Sequence, residues 1–221
     1  VSLSKKLEWD LRTNVERLED SLNLERNFLT NLTLDDDWSA VIKCHAFLEM
    51  ALTHFLADFF QNEELKEIFA FLEMSDSKRG KVAFLEKLQL LRKEERQFIR
   101  ELSALRNRLV HDISNVYFDL KKHVSNLDSQ QRKNFIAAFS IWKLRHLFEE
   151  TELTKNINKA IEDIALTKPK TAIILSVLTL VENIFDRPRD IEKMKEYEEL
   201  NRKFEAMLRK LKNEIVNKQS L

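Results

Sequence analysis

An all-α fold is predicted by two features of the sequence. The 221 residues include 1 Gly and 2 Pro, against roughly 7% and 5% in ordinary globular chains, where turns and tight strand connections need them. A chain so poor in both has few sharp turns and long uninterrupted elements. Its apolar residues, 43% of the total, recur at spacings of three and four, the repeat that gathers them on one side of a helix. The length is ample for one large hydrophobic core. The expected organisation is a helical bundle over residues 1–189, with an amphipathic helix over 190–221 that packs on the bundle or at an oligomer interface.

The first predicted helix covers residues 3–32, with Leu7, Leu11, Val15, Leu18, Leu22, Phe28 and Leu29 on one stripe. Asp35, Asp36 and Asp37 then supply an N-cap and negative charge at the positive end of the next helix. That helix, 38–60, carries Val41, Cys44, Leu48, Leu52, Phe55 and Phe59 and is expected at the centre. A short helix over 63–72, a polar break at 75–77 and a helix from Gly80 to about Leu91 follow. The charged run Arg92 to Glu95 marks a turn or a kink. The next helix turns Phe98, Leu102, Leu105 and Leu109 to the core. Residues 113–126 lack a helical period, and Tyr117 and Phe118 are expected to pack down.

Further helices are predicted over 130–148, with Phe135, Phe139, Trp142 and Leu147 in the core, and over 151–166 and 171–185. Pro169 suits the first turn of the last of these, because its fixed φ is already helical. That helix is apolar nearly all round and is therefore expected to be buried. The stretch 191–218 carries Met194, Leu200, Phe204, Met207, Leu211 and Ile215 as an apolar stripe among dense charges.

Composition removes several function classes. Lys+Arg and Asp+Glu balance at 37 each, so nucleic-acid binding would need a local patch rather than overall charge. Cys44 is the single cysteine, which excludes an intramolecular disulfide and a multi-cysteine zinc site and suits a reducing, cytoplasmic setting. The first residues lack the apolar stretch of a signal peptide. The stretch 172–181 is interrupted by Ser176 and Thr179 and falls well short of the ~20 residues a membrane span needs, so no membrane association is expected. One glycine cannot supply a phosphate-binding GxxxxGK[ST] or GxGxxG loop, and HExxH, CxxC and EF-hand patterns do not occur. No metal and no cofactor are expected. Two pairs, His45/Glu49 and His54/Asp58, could each set a base beside a carboxylate, or form ordinary polar contacts at the rim of the central helix.

The segment 96–112 is more pointed. At 100° per residue, Arg96, Arg100, Asn107 and His111 fall in one narrow stripe opposite the apolar face. Two arginines, an amide and a histidine with almost no acid among them suit an anion, and a phosphodiester in particular. Arginine holds phosphate through paired N–H donors, and histidine can move a proton near neutral pH. The alternative is a solvated face whose arginines pair with acids of neighbouring helices. Arg106 and His111 are five residues apart, which leaves them ~140° out of line on a straight helix. Either the helix unwinds before His111, or a second chain completes the site, as in a two-fold dimer where the same helix of each protomer faces its mate.

Arg106-Asn107 followed by His111, at the end of a helix in an all-α chain, resembles the Arg-x(4–6)-His signature of the HEPN superfamily. Asn directly after Arg matches the superfamily's commonest form. The stretch 46–52, Ala-Phe-Leu-Glu-Met-Ala-Leu, resembles the apolar-Leu-Glu-x-x-Leu stretch that precedes the signature helix. Residues 105–112, Leu-Arg-Asn-Arg-Leu-Val-His-Asp, look like a segment of the mannitol operon repressor family, and residues 174–184 are similar to that family's C-terminal core helix. The resemblance spans roughly residues 38–185.

Two functions are implied by this resemblance. Many HEPN proteins are metal-independent RNA endonucleases, often toxins or defence effectors, with Arg and His of two protomers lining one cleft. Carried over, His111 would be the general acid/base, Arg106 would stabilise phosphate charge, and Asn107 would orient the site. The expected product is a 2′,3′-cyclic phosphate. Position alone adds Arg96, Arg100 and Arg108 as guides for the RNA backbone, and Glu49 and Asp112 as supporting groups. The mannitol-repressor-like branch implies instead a transcriptional regulator or interaction protein acting through a protein partner without catalysis, and an antitoxin-like or scaffold protein with a dead site is the third possibility; a homodimer is the expected assembly.

Overall fold

The structure, a computed structural model, describes residues 13–141 and 152–187 together with Lys203. Among these there are ten α-helices and no strand. In chain order they are α1 (Asn14–Ser21), α2 (Phe28–Asn31), α3 (Asp37–Phe59), α4 (Leu65–Ala70), α5 (Lys81–Lys87), α6 (Lys93–Val110), α7 (Leu120–Ser125), α8 (Ser129–Phe139), α9 (Glu152–Thr167) and α10 (Pro169–Phe185). Two 3₁₀ turns, Leu32–Leu34 and Ile113–Tyr117, complete the set. The chain divides into the units Val1–Asp186 and Arg187–Leu221, and all ten of these helices belong to the first. Leu7, Leu11, Trp142, His146, Leu147 and, apart from Lys203, the stretch 191–218 lie outside the described residues.

The central position expected for the helix after the acidic run is observed. α3 packs against α10, α4 and α6, while α6 also packs on α8 and α9 lies on α10. Leu48, Leu52, Phe55 and Leu56 of α3 are fully buried, with Phe98, Ile99 and Leu102 of α6 and Val177, Leu180, Val181 and Ile184 of α10. Each such side chain contributes roughly 1.5–3 kcal/mol by leaving water. Phe55 meets Phe185 edge-on at 5.5 Å, and Phe98 meets Phe139 at 5.7 Å, the tilted contact that the ring quadrupole favours. By length and composition α3 alone among the described helices could cross a membrane, but 67% of that window is buried inside the bundle. Its apolarity serves the core.

Polar caps fix the helix starts. Asp36 accepts from the Ser39 N–H at 2.8 Å, Asp119 from Lys122 at 2.8 Å, and Asp128 from Gln130 and Gln131 at 2.8 Å each. Pro169 is the first residue of α10, as its ring geometry requires. Glu182 of α10 reaches α1 and accepts from the backbone N–H groups of Asn14 and Val15 at 3.0 and 2.9 Å. A carboxylate from one helix thus closes the open N-terminus of another.

Four expectations are corrected. The single helix over 3–32 is broken after Ser21, where Asn23 and Asn27 take φ of 54° and 61°. Asn tolerates this left-handed region better than most residues, and the buried Glu19 carboxylate holds the turn by accepting from Asn27 and Leu29 N–H. The apolar period continues across the break because both short helices face the same core. The charged run at 92–95, expected as a turn or a kink, follows the turn over 88–92 and starts α6: Arg92 N–H donates to the Glu95 carboxylate at 2.7 Å, and Glu94 and Glu95 sit in the first turn. The segment 113–126 contains helix α7, too short to reveal a period. Tyr117 is 92% exposed rather than packed down, while Phe118 is half-buried against the His123 ring at 5.4 Å.

Gly80, the chain's one glycine, opens α5 where two backbone segments meet. A Cβ there would lie 2.3 Å from the Glu73 carbonyl oxygen and 2.7 Å from that of Asp76. No larger residue fits without moving main chain.

Candidate functional site

The end of α6 is built by satisfying its last carbonyls, which no intrahelical donor reaches. The Trp38 indole N–H donates to the Leu109 carbonyl at 3.2 Å, and the Asn115 amide donates to the Arg108 carbonyl at 3.0 Å. The Asp112 carboxylate turns the other way and accepts from Ser114 N–H at 2.9 Å. That bond holds its pKa below the usual carboxylate value. Asp112 therefore starts the 3₁₀ turn rather than supporting His111 directly.

Held at both sides, the chain keeps right-handed helical backbone through His111, with φ −81° and ψ −13°. α6 ends at Val110, and His111 caps it without leaving the helical backbone region. Arg106 and His111 thus remain ~140° apart around the axis, and one protomer does not aim both at the same atom. Asn107 and His111, four residues apart, share the exposed side. His111 has no hydrogen-bond partner among the described residues. Arg106 is half-buried, and its guanidinium donates to the Asn107 side-chain carbonyl at 3.0 Å.

Behind Arg106 lies a polar cluster between α3, α5 and α6. His45 is 6% exposed, well inside the rim, and its Nε2 shares a hydrogen bond of 3.2 Å with the Ser103 hydroxyl. Its Nδ1 stands 4.0 Å from Glu49. The other Glu49 oxygen accepts from the Lys81 ammonium at 3.1 Å, and Lys81 also donates to the Leu72 carbonyl at 2.6 Å. Burial holds the His45 pKa below its ordinary value; Glu49 opposes the shift and the Arg106 charge adds to it. His45 is therefore a neutral imidazole close enough to the motif arginine to feel its charge. Glu49 binds inward to Lys81 and meets the motif only through this cluster.

The pH consequence has a definite sign. His54 and His123 are also lowered, in both cases first by burial. Between a lowered folded value and the ordinary value near 6.5, the unfolded chain binds protons that the folded chain refuses, so stability rises with pH there. The histidine contribution is thus neutral above about pH 6.5 and becomes destabilising as pH falls below it. The melting temperature should drop between pH 7 and 5, and His45→Gln should flatten part of that drop. An unchanged slope in the variant would remove His45 from the explanation.

The arginines proposed as backbone guides fare differently. Arg96 donates to the Leu91 carbonyl at 2.9 Å and pairs with Glu86 at 3.3 Å, which ties α6 to α5. It also lies 15 residues before His111, about 22 Å along the helix, so the structure does not bring it to the motif. Arg100 and Arg108 are exposed, without an ion-pair partner among the described residues. Cys44 is buried, its thiol pushed up to about 12 by burial, and serves packing. Among the described residues no group of three or more His, Cys, Asp and Glu side chains is placed to hold a metal ion.

One feature escaped the sequence entirely. On either side of His111 in the chain four apolar side chains face solvent: Ile113 is 83% exposed and Tyr117 92%, with Val110 and Val116 at 38% each. Lacking periodicity, this segment carries no signal that separates a packed tyrosine from a presented one. Comparison of the chain with protein-family models, curated proteins and solved structures gives no match.

Proposed function

We propose that the chain is a metal-independent endoribonuclease of HEPN type, acting as a homodimer whose composite cleft is lined by Arg106, Asn107 and His111. The observation that carries this reading is the right-handed helical backbone that the chain keeps from α6 into its cap, His111. It leaves the guanidinium and the imidazole of one chain on different sides, so a working pair takes one from each protomer. The exposed Val110, Ile113, Val116 and Tyr117 on either side of His111 in the chain supply apolar surface for such a contact, since aromatic and aliphatic groups in this setting favour burial against a partner.

In this reading His111 takes the proton of a ribose 2′-hydroxyl as that oxygen attacks the adjacent phosphate, and a proton is returned to the departing 5′-oxygen. Arg106 stabilises the charge gathering on the non-bridging oxygens, held in place by Asn107. A 2′,3′-cyclic phosphate and a 5′-hydroxyl result. Wild-type protein incubated with varied single-stranded RNAs in EDTA should release fragments ending in a cyclic phosphate, identified by mass. Intact RNA in every buffer would overturn the nuclease reading. The same exposed apolar group would then favour a regulator or scaffold that docks a protein partner, an antitoxin included, through the face around Tyr117.

A further inference from the structure

An open pocket of about 300 Å³ lies between α6, α7 and α8, three residues along the helix from His111 at its nearest point. Its volume falls at the small end of the roughly 300–1,000 Å³ typical of small-molecule sites. Phe135, buried from α8, gives it an apolar wall. Around that wall stand Glu101, Arg108, His123, Asn126 and Asn134.

The two opposite charges of this pocket do not pair with each other. Glu101 and Arg108 are seven residues apart on α6, on one side of the helix and about 10 Å apart along its axis. Neither has an ion-pair partner among the described residues. A ligand that satisfies both must offer hydrogen-bond donors at one end and negative charge at the other. Between them the ligand passes the small accessible edge of Phe135, which is 7% exposed. His123 is kept neutral by burial, with the Arg108 charge adding to the effect, so the wall adds no second cation. Asn126 and Asn134 supply amide groups that can read the edge of a ring.

These demands are those of a nucleotide carrying guanine. The N1–H and N2–H donors of guanine sit side by side, the arrangement a carboxylate accepts with both oxygens. Adenine sets an acceptor nitrogen beside its amino group and would oppose Glu101. Unstacked bases of single strands are read in this way, by their Watson–Crick edges. We propose that this pocket binds a guanine nucleotide of single-stranded RNA, with Glu101 accepting from the N1–H and N2–H pair and Arg108 holding a phosphate. The inference rests on the nuclease reading for its biological sense, and it would make the cleavage selective for sites beside guanine.

Binding can be read without turnover. Amide chemical-shift titrations of the wild-type protein with GMP, AMP, guanosine and inorganic phosphate separate the contributions. GMP should shift resonances of Phe135 and Asn126 and bind at least about fivefold tighter than AMP, the lower end of what one good bidentate base contact discriminates. Glu101→Gln should abolish that preference. Arg108→Ala should weaken GMP and AMP alike and leave guanosine unchanged. Equal binding of GMP and AMP, a preference that survives Glu101→Gln, phosphate binding as well as GMP, or no binding at all would each overturn the proposal. A protein that binds GMP but cleaves no RNA would overturn the nuclease reading alone, and one that cleaves RNA with no preference near guanine would overturn this inference alone.

Discussion

Replacing His111 by Ala is expected to reduce RNA cleavage by a factor of about 100 or more, because a positioned general acid/base contributes typically 10²–10⁴-fold. Arg106→Ala should lose a comparable factor, set by the charge that builds on phosphate oxygens in the transition state. Arg106→Lys should rescue little, since a point charge does not reproduce the planar pair of donors. The two positions differ in what they do for the fold. His111 is exposed at the end of α6, so its removal should leave the melting temperature within a degree or two. Arg106 is half-buried and bonded to Asn107, so a modest loss of stability is expected there. Cleavage assays paired with melting curves on the same preparations separate the two effects. Unchanged cleavage in His111→Ala would remove the histidine from the chemistry.

The second large effect is structural. Lys81 is fully buried, and its ammonium is shared between the Glu49 carboxylate and the Leu72 carbonyl. Lys81→Ala would leave a carbonyl and a partly buried carboxylate without their donor, besides opening space beside α5. Breaking a buried pair by removing one partner costs about 3–5 kcal/mol. Because Glu49 keeps some contact with water, with about a third of its side chain exposed, the lower part of that range is expected, near 3 kcal/mol. Glu49→Gln should cost less, since the amide oxygen still accepts from Lys81. Denaturant unfolding of both variants tests this, and equal, small losses would show that the cluster is not a structural tie. Because His45 sits within the same cluster, Lys81→Ala should also lower cleavage by loosening the surroundings of Arg106.

These two effects differ in how far they could be read from the sequence. The helices α3, α6 and α10 were legible because each is long enough to repeat its apolar period several times. The Arg106–His111 motif was legible for a different reason: its residue types are chemically distinctive and lie within six positions. Lys81 was not. A lysine at the front of a helix is ordinarily solvated, and only the meeting of Glu49 with the Leu72 carbonyl, from two other places in the chain, makes its burial affordable. The same limit applies to the pocket of Glu101, Arg108, His123 and Phe135, which is assembled from three helices. The break after Ser21 hid behind an apolar repeat that two short helices share, and the exposure of Tyr117 depends on which way a 3₁₀ turn faces.

The helical backbone at His111 makes the composite site the central claim, and mixing two inactive variants tests it most directly. Arg106→Ala and His111→Ala proteins, each inert alone, are combined under conditions where protomers exchange, and RNA cleavage is followed. In a two-fold dimer with one residue drawn from each chain, half the dimers become mixed and each recovers one intact site, so roughly a quarter of wild-type activity should return. A mixture as inert as either variant, with exchange confirmed by mass and the wild type active, would place Arg106 and His111 in the same protomer's site and contradict the composite cleft.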